Sequence, residues 1–308
     1  FSQRFTIGGR SALAVKYNDE DKAEYPVGYP SCGIIASTFN KDLAYLCGTA
    51  IGEDSLWSGQ AGIYGIGLNI HRNPYHGRYF EYFSEDAFLT GIISGAESGG
   101  IQSKGCYVYN KHFVLNEQET NRDQVGTYLT EQTMRQNYLR AFMLAVREGD
   151  AMCVMTAFNR IGSVWSGNHK GLMTEWLRKE AGMKGHAVTD WFTPWYMGLA
   201  SGVLAGNDIP DGVPNNVFVD YREGASKANG ELAWAMRESV HRVLYTVVHS
   251  NAMNGIGEGT KVVIVEAQWK STVKGVYVAV GVLFGLSVAF FAVTTVLVVL
   301  DKKKSAQS

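Results

Sequence analysis

From Gly275 to Leu300 the sequence reads GVYVAVGVLFGLSVAFFAVTTVLVVL, 26 residues without one charge. A bilayer core needs about 20 consecutive apolar residues in a helix. At about 1.5 Å per residue this run reaches roughly 39 Å, enough to cross with some tilt. The competing reading is a buried core helix. It is disfavoured because helices of globular proteins keep a polar face, and this run has none. The run therefore predicts one membrane span at residues 275–300 that contacts lipid. Lys302, Lys303 and Lys304 follow it, whereas the flank before it carries only Lys270 and Lys274. Lysines beside a span favour the cytoplasmic side, so the expectation is a single pass through the cell membrane, with the C-terminus inside and the larger domain outside.

The remaining chain is long enough for one large domain. Of all 308 residues 46% are hydrophobic and 19% charged, a composition that folds. A formal net charge of −1 offers no basic excess, so nucleic acid is not an expected partner. Cys32, Cys47, Cys106 and Cys153 form no C-x-x-C pair and have no histidine at finger spacing, which argues against a metal site. Cys106 and Cys153 lie in or beside apolar runs and read as buried free thiols. The chain opens at Phe1 without a basic patch or an apolar signal region, so a processed or truncated start is expected.

Residues 1–30 read as polar loop. Beyond them short apolar strands alternate with amphipathic helices. Helices are predicted at 38–54 with Asn40 as cap, 84–101 with Ser84 as cap, 130–150 with Thr130 as cap, 169–183 ending at Gly182, near 194–204, and 230–250. Strands are predicted at 61–70, 106–113, 151–158 and 185–192, with a short fifth near 207–210. Residues 261–269 read as a strand or an extended connector. This alternation predicts a parallel α/β sheet. A barrel and an open doubly wound sheet fit it equally.

In either architecture, chemistry collects where strands end at their C-terminal side. His71, Arg72, Arg78 and Glu81 follow the first strand. Lys111 and His112 end the second, Asn159 and Arg160 the third, and Asp190 with Trp191 the fourth; Asp208 is a candidate for the fifth. Singly, each is an ordinary cap, ion pair or surface group. Together they predict a pocket for a polyhydroxylated ligand, because hydroxyls need polar partners and sugar ring faces stack on aromatics. Neither G-x-G-x-x-G after a strand nor G-x-x-x-x-G-K-[ST] occurs, and GIYGIG lies within a strand, so no nucleotide cofactor is expected.

At these residues the sequence resembles glycoside hydrolase family 3. The resemblance is carried by GLNIHRNPYHGRYFEYFSEDAFLTG, by NKHFVLNEQETNR and by VMTAFNRIGSVWSGNHKGLMTEWLRKEAGMKGHAVTDWF, and covers roughly residues 30–215. It implies a TIM-like (β/α)8 barrel, incomplete at its N-terminus, and retaining, exo-acting β-glucosidase chemistry on a carbohydrate substrate without a cofactor. Residue by residue, it implies Asp190 as nucleophile, Arg78, Lys111 and His112 as ligands of the sugar hydroxyls, Glu81 as their supporting carboxylate, and Trp191 as an aromatic at the sugar. Asn159 belongs to the same implied substrate shell. Phe158 stands where many members have Tyr. Retaining hydrolysis places two carboxyls about 5–5.5 Å apart, one attacking the anomeric carbon and one acting as acid and then base.

The sequence departs from the family in three ways. Early barrel strands are not visible before residue 60, the Asp-Gly-Pro motif is missing, and so is the sandwich domain that supplies the acid/base Glu in most members. The organisation this implies is a partial barrel at 1–255, a connector at 256–274, the span at 275–300 and a cytoplasmic tail at 301–308. It is the order expected for the C-terminal portion of a permuted enzyme whose acid/base comes from a sandwich domain or a separate chain. The N-acetylglucosaminidase branch is set aside, since KHFVLNEQE lacks its Pro-Gly-His-Gly. Two alternatives remain at this point: a catalytically inactive, membrane-anchored sugar-binding remnant, and a structural membrane protein with no sugar role.

Overall fold

The computed structural model describes residues 28–57, 60–191, 197–212, 230–254, 256–257, 259–260 and 268–305, together with four two-residue strands between residues 6 and 24. It divides into two compact units, Phe1–Gly255 and Ile256–Ser308.

The first unit is built on a seven-stranded sheet. Its centre is five parallel strands: β5 (Gly62–Ile63), β6 (Tyr107–Phe113), β8 (Cys153–Thr156), β11 (Ala187–Trp191) and β12 (Ile209–Asp211). They lie side by side in chain order. Beyond β5 the short antiparallel strands β1 (Thr6–Ile7) and β2 (Arg10–Ser11) extend the edge. A second small pair, β3 (Val15–Lys16) with β4 (Ala23–Glu24), stands apart from it, as does the three-stranded sheet of β7 (Gly126–Thr127), β9 (Arg160–Ile161) and β10 (Val164–Trp165).

The strand order decides between the two architectures. A doubly wound sheet reverses direction at a switch point, whereas these five strands step monotonically, as in a barrel. The result is a curled half-barrel.

The helices that accompany these strands are α1 (Cys32–Ala36), α2 (Lys41–Trp57), α3 (Ala87–Gln102), α4 (Glu131–Thr133), α5 (Arg140–Gly149), α6 (Leu199–Ala205) and α7 (Gly230–Val248). Between α3, α5 and the sheet lies the main core, including Ile93, Ile101, Val108, Val154 and Ala187. Phe113 anchors it, edge-on to Phe142 and stacked on Trp176. The opposite sheet face carries Tyr64, Tyr107, Tyr109, Cys153, Met155 and Val188 in a smaller cluster. This alternation is the period-two pattern of a strand with two covered faces. Cys106 and Cys153 are buried and free, as their apolar flanks imply.

Most predicted elements are present, with instructive differences. Asn40 caps α2, its Oδ1 accepting the N–H groups of Asp42 and Leu43. Thr130 caps α4 through the N–H of Thr133. The cap of α3 is not Ser84 but Asp86, which accepts from Phe88 N at 2.8 Å; Ser84 Oγ in turn accepts from Asp86 N. The helix predicted over 130–150 is interrupted by a π-helical turn at Met134–Leu139, and that over 169–183 is π-helical at Gly171–Glu180. Gly182 does end the latter region, at φ +90°, where a side chain would be strained. The strand expected at 61–70 pairs regularly only at Gly62–Ile63, and Gly67 bridges Lys111 and Tyr82 in isolation. Residue 192 of the predicted strand, residues 194–196 of the predicted helix and residues 261–267 of the connector lie outside the described residues. Gln268 and Trp269, read with that connector as extended, are helical.

In the second unit α8 (Gln268–Ser305) is one continuous helix. Within it, Thr272–Leu300 forms 29 residues of mean hydropathy 2.6, none of its most apolar window buried. Phe284, Phe290 and Phe291 on this helix are each more than 70% exposed.

Candidate active site

The polar residues at the C-terminal ends of the parallel strands converge. After β5 the chain turns at Gly77, whose φ of +95° suits glycine, and enters a single 3-10 turn at Tyr79–Glu81. Arg78 lies just before that turn, and Glu81 faces back on it. Arg78 Nε and Nη2 donate to Glu81 Oε1 and Oε2 at 2.9 and 3.0 Å, a two-pronged pairing. Lys111, from the end of β6, reaches Glu81 Oε2 at 3.2 Å. Arg78 Nη2 also approaches His112 Nε2 at 3.2 Å, and His112 Nε2 stands 3.5 Å from Asp190 Oδ2 at the end of β11. Five residues separated by up to 112 positions thus form one cluster.

Burial, reinforced by Arg78 and Lys111, holds the His112 pKa well below its ordinary value, so the ring is neutral. An arginine only donates, so Nε2 accepts from Arg78, and the ring proton sits on Nδ1, facing Tyr82 Oη at 3.2 Å. The His112–Asp190 approach is therefore two acceptors meeting, not an ion pair. Burial raises the Asp190 pKa, opposed by the Trp191 N–H at 2.8 Å and by the charges of Lys111, Arg122 and Arg78. For Glu81 burial acts in the same sense, but Lys111 and Arg78 outweigh it and the net shift is downward. The cluster thus offers a firmly ionised Glu81 and a partly buried carboxylate, Asp190, beside a neutral imidazole. Arg78 Nη1 is buried without a hydrogen-bond partner and makes only a 3.5 Å ion pair with Glu119.

Other predicted residues are placed differently. Trp191 follows Asp190 and is 59% exposed, a rim position. Phe158 is buried, with the Arg122 guanidinium 4.7 Å from its ring centre. Asn159 is buried in the backbone: its Nδ2 donates to Val114 O at 3.1 Å, which braces the loop after β6. Arg160 lies over Trp165, and His71 stacks on Tyr79. Arg72 reaches the carbonyl of Glu117. Asp208 is a structural clamp rather than a site carboxylate. It has no exposed side-chain surface and lies between Arg178 at 3.0 Å and Arg242 at 2.7 Å, accepting also from Ala187 N. No group of three or more His, Cys, Asp or Glu side chains suited to a metal occurs among the described residues.

Residue-type reasoning missed Asn69, Tyr82, Glu117, Glu119 and Arg122. Arg122 bonds Glu119 at 2.8 Å, and Asn69 holds the backbone of His112. Glu117, Glu119 and Arg122 all stand in NEQETNR, so their signal was proximity to Lys111 and His112.

A parallel half-barrel with its charged cluster at the carboxyl ends of the strands is the layout of a barrel-type α/β enzyme. The chain belongs to glycosyl hydrolase family 3: residues 26–200 match the profile of the glycosyl hydrolase family 3 N terminal domain. It is 35% identical over 251 residues to a beta-glucosidase of Ruminococcus albus, covering 77% of this chain and 26% of that protein. It is 38% identical over 181 residues to a probable beta-glucosidase I of Aspergillus terreus, covering 59% and 21% respectively. Among solved structures, beta-glucosidase 3B from Thermotoga neapolitana in complex with glucose superposes with a TM-score of 0.71 at 30% identity, covering 77% of this chain and 34% of that one. The chain thus spans about a quarter of the length of the curated relatives.

Proposed function

We propose that this chain is the nucleophile-bearing part of a membrane-anchored, retaining β-glucosidase-type hydrolase that releases terminal β-linked sugars. The observation that carries the reading is Asp190 Oδ2 standing 3.5 Å from a neutral His112 within the Arg78–Glu81–Lys111 cluster. Either of these acceptors can take the single proton of a sugar hydroxyl lying beside them. Arg78 Nη1 supplies an unused donor beside it. Asp190 attacks the anomeric carbon in the ionised form, forming a glycosyl-enzyme as the aglycone oxygen leaves. Arg78, Lys111 and His112 hold the ring hydroxyls, and Trp191 offers an apolar surface at the rim. A glutamate of a sandwich domain, elsewhere in the protein or on a second chain, protonates the leaving oxygen and then activates water.

A 2-fluoroglucoside with a dinitrophenolate leaving group tests this, because such a leaving group needs no acid. Mass spectrometry should find one adduct, on Asp190, absent from Asp190→Asn. An adduct elsewhere, or one that survives the substitution, refutes the assignment. Glucose binding without any adduct favours the inactive sugar-binding reading.

Residues 275–300 anchor the chain in the cell membrane, with residues 301–308 cytoplasmic and the barrel outside. Support comes from the exposed apolar helix and the lysines after it. A protease added to intact cells should degrade the barrel and spare an epitope placed after Ser308. Loss of that epitope reverses the topology.

A further inference from the structure

The β5–β6 ladder pairs Gly62 with Tyr107 and Ile63 with Val108, and Gly67 still bridges Lys111. At the next position of β6 a side chain takes over from the backbone. Asn69 Oδ1 accepts the N–H of His112 at 2.7 Å, and Asn69 Nδ2 donates to the His112 carbonyl at 3.2 Å. Holding both backbone groups of one residue fixes how it leaves the strand, and so where its ring stands. Asn69 Nδ2 also donates to Glu117 Oε1 at 3.0 Å, which accepts the Ile70 N–H at 3.4 Å as well. Asn69 is 1% exposed and Glu117 4%, so bulk water replaces neither partner. Without the Glu117 acceptor, the second amide hydrogen of Asn69 is buried and unpaired. The amide must then turn or the loop must shift, and either releases His112.

We propose that Glu117 is a positioning residue that acts through Asn69 to fix the backbone of His112, and thereby the imidazole that meets the sugar. The proposal rests on the glycosidase reading of the site. Two features make it measurable. Glu117 lines a cavity of about 150 Å³ with Arg72, Gln118 and Thr127. Burial pushes that carboxyl up to about 7, against the bonds from Asn69 and Ile70 and the charge of Arg72. The charged and titratable groups facing it are Arg72, which donates to its carbonyl, Tyr82 from the turn region and Tyr138 from the π-helical turn. Both phenols are raised by burial and do not titrate near neutrality.

The test uses the full chain in detergent micelles, with glucose as probe and ¹⁵N-histidine NMR as the second readout, His112 being assigned from His112→Gln. In the wild type, the His112 ring-nitrogen signals should step as pH crosses about 7. Glu117→Gln keeps an acceptor and mimics the protonated carboxyl. It should abolish the step and bind glucose at pH ~6 within about twofold of wild type. Glu117→Leu should displace the His112 signals and weaken glucose binding about tenfold. A step that persists in Glu117→Gln, or a folded Glu117→Leu with unchanged signals and affinity, overturns the proposal. If Glu117→Leu does not fold, the step in Glu117→Gln decides. If even the wild type binds no glucose, the glycosidase reading fails, while the His112 signals still support or overturn the positioning role.

Discussion

Replacing Glu81 should cost stability in a way that depends on pH. Its carboxylate is 13% exposed and neutralises two cations at once, accepting from Arg78 Nε and Nη2 at 2.9 and 3.0 Å and meeting Lys111 Nζ at 3.2 Å. Truncation leaves Arg78 and Lys111, themselves 17% and 13% exposed, as neighbouring like charges. Breaking a buried pair by removing one partner costs about 3–5 kcal/mol. Residual water contact places Glu81→Ala at the lower end, about 3 kcal/mol, and Glu81→Gln, which keeps one acceptor, at about 2 kcal/mol. Burial opposes the charge of Glu81, but Lys111 and Arg78 outweigh it, so its folded pKa lies below the ordinary 4.5. The unfolded chain therefore takes up this proton first on acidification. The stabilisation is complete above pH 4.5 and is lost as pH falls through the folded pKa. Urea unfolding of wild type and Glu81→Gln, followed by circular dichroism at several pH values, measures both effects. The difference should be full near pH 7 and shrink toward pH ~3. A difference below about 0.5 kcal/mol at neutrality, or one that does not change with pH, refutes the reasoning.

Asp208→Ala should destabilise the protein by about 3–5 kcal/mol in urea titrations, since it strands two arginines around a fully buried position. A loss under about 1 kcal/mol would remove the clamp role. Cys153 should resist thiol reagents in the folded protein, because burial pushes its pKa up to about 12, and should react only after denaturation. Rapid labelling under native conditions contradicts its placement inside the sheet.

Much of this protein is legible locally. A run without charge is a membrane candidate wherever it occurs, because bilayer thickness alone sets the length required. Asn40 and Thr130 announce their helices because capping acts within three residues. Ser84 misled because Asp86, two residues on, competes for the same free N–H groups and stands closer to the helix start. The same limit governs the site. Arg78, Glu81, Lys111, His112 and Asp190 were identifiable as polar residues at strand ends, yet residue type and strand position do not distinguish Asp190 from Asp208; only the resemblance of GHAVTDWF singles out the former. One lies in the charged cluster and the other between two arginines. Asn159 looked like a site residue for the same reason, and its burial against Val114 O could not be read from its neighbours in the chain.

The sequence by itself determined the alternation of strands and helices, the apolar length of α8 and the residue types available at each strand end. These follow from the periodicity of burial and from short-range hydrogen bonding, which neighbouring residues encode directly. Only the tertiary structure decided that the five strands run in sequential order as a half-barrel, and that Asp190 meets His112. It alone placed Asn69 and Glu117 behind that histidine. Strand order and side-chain contacts join residues some 20 to 80 positions apart, and their energies depend on which faces pack together, a quantity that no local window contains.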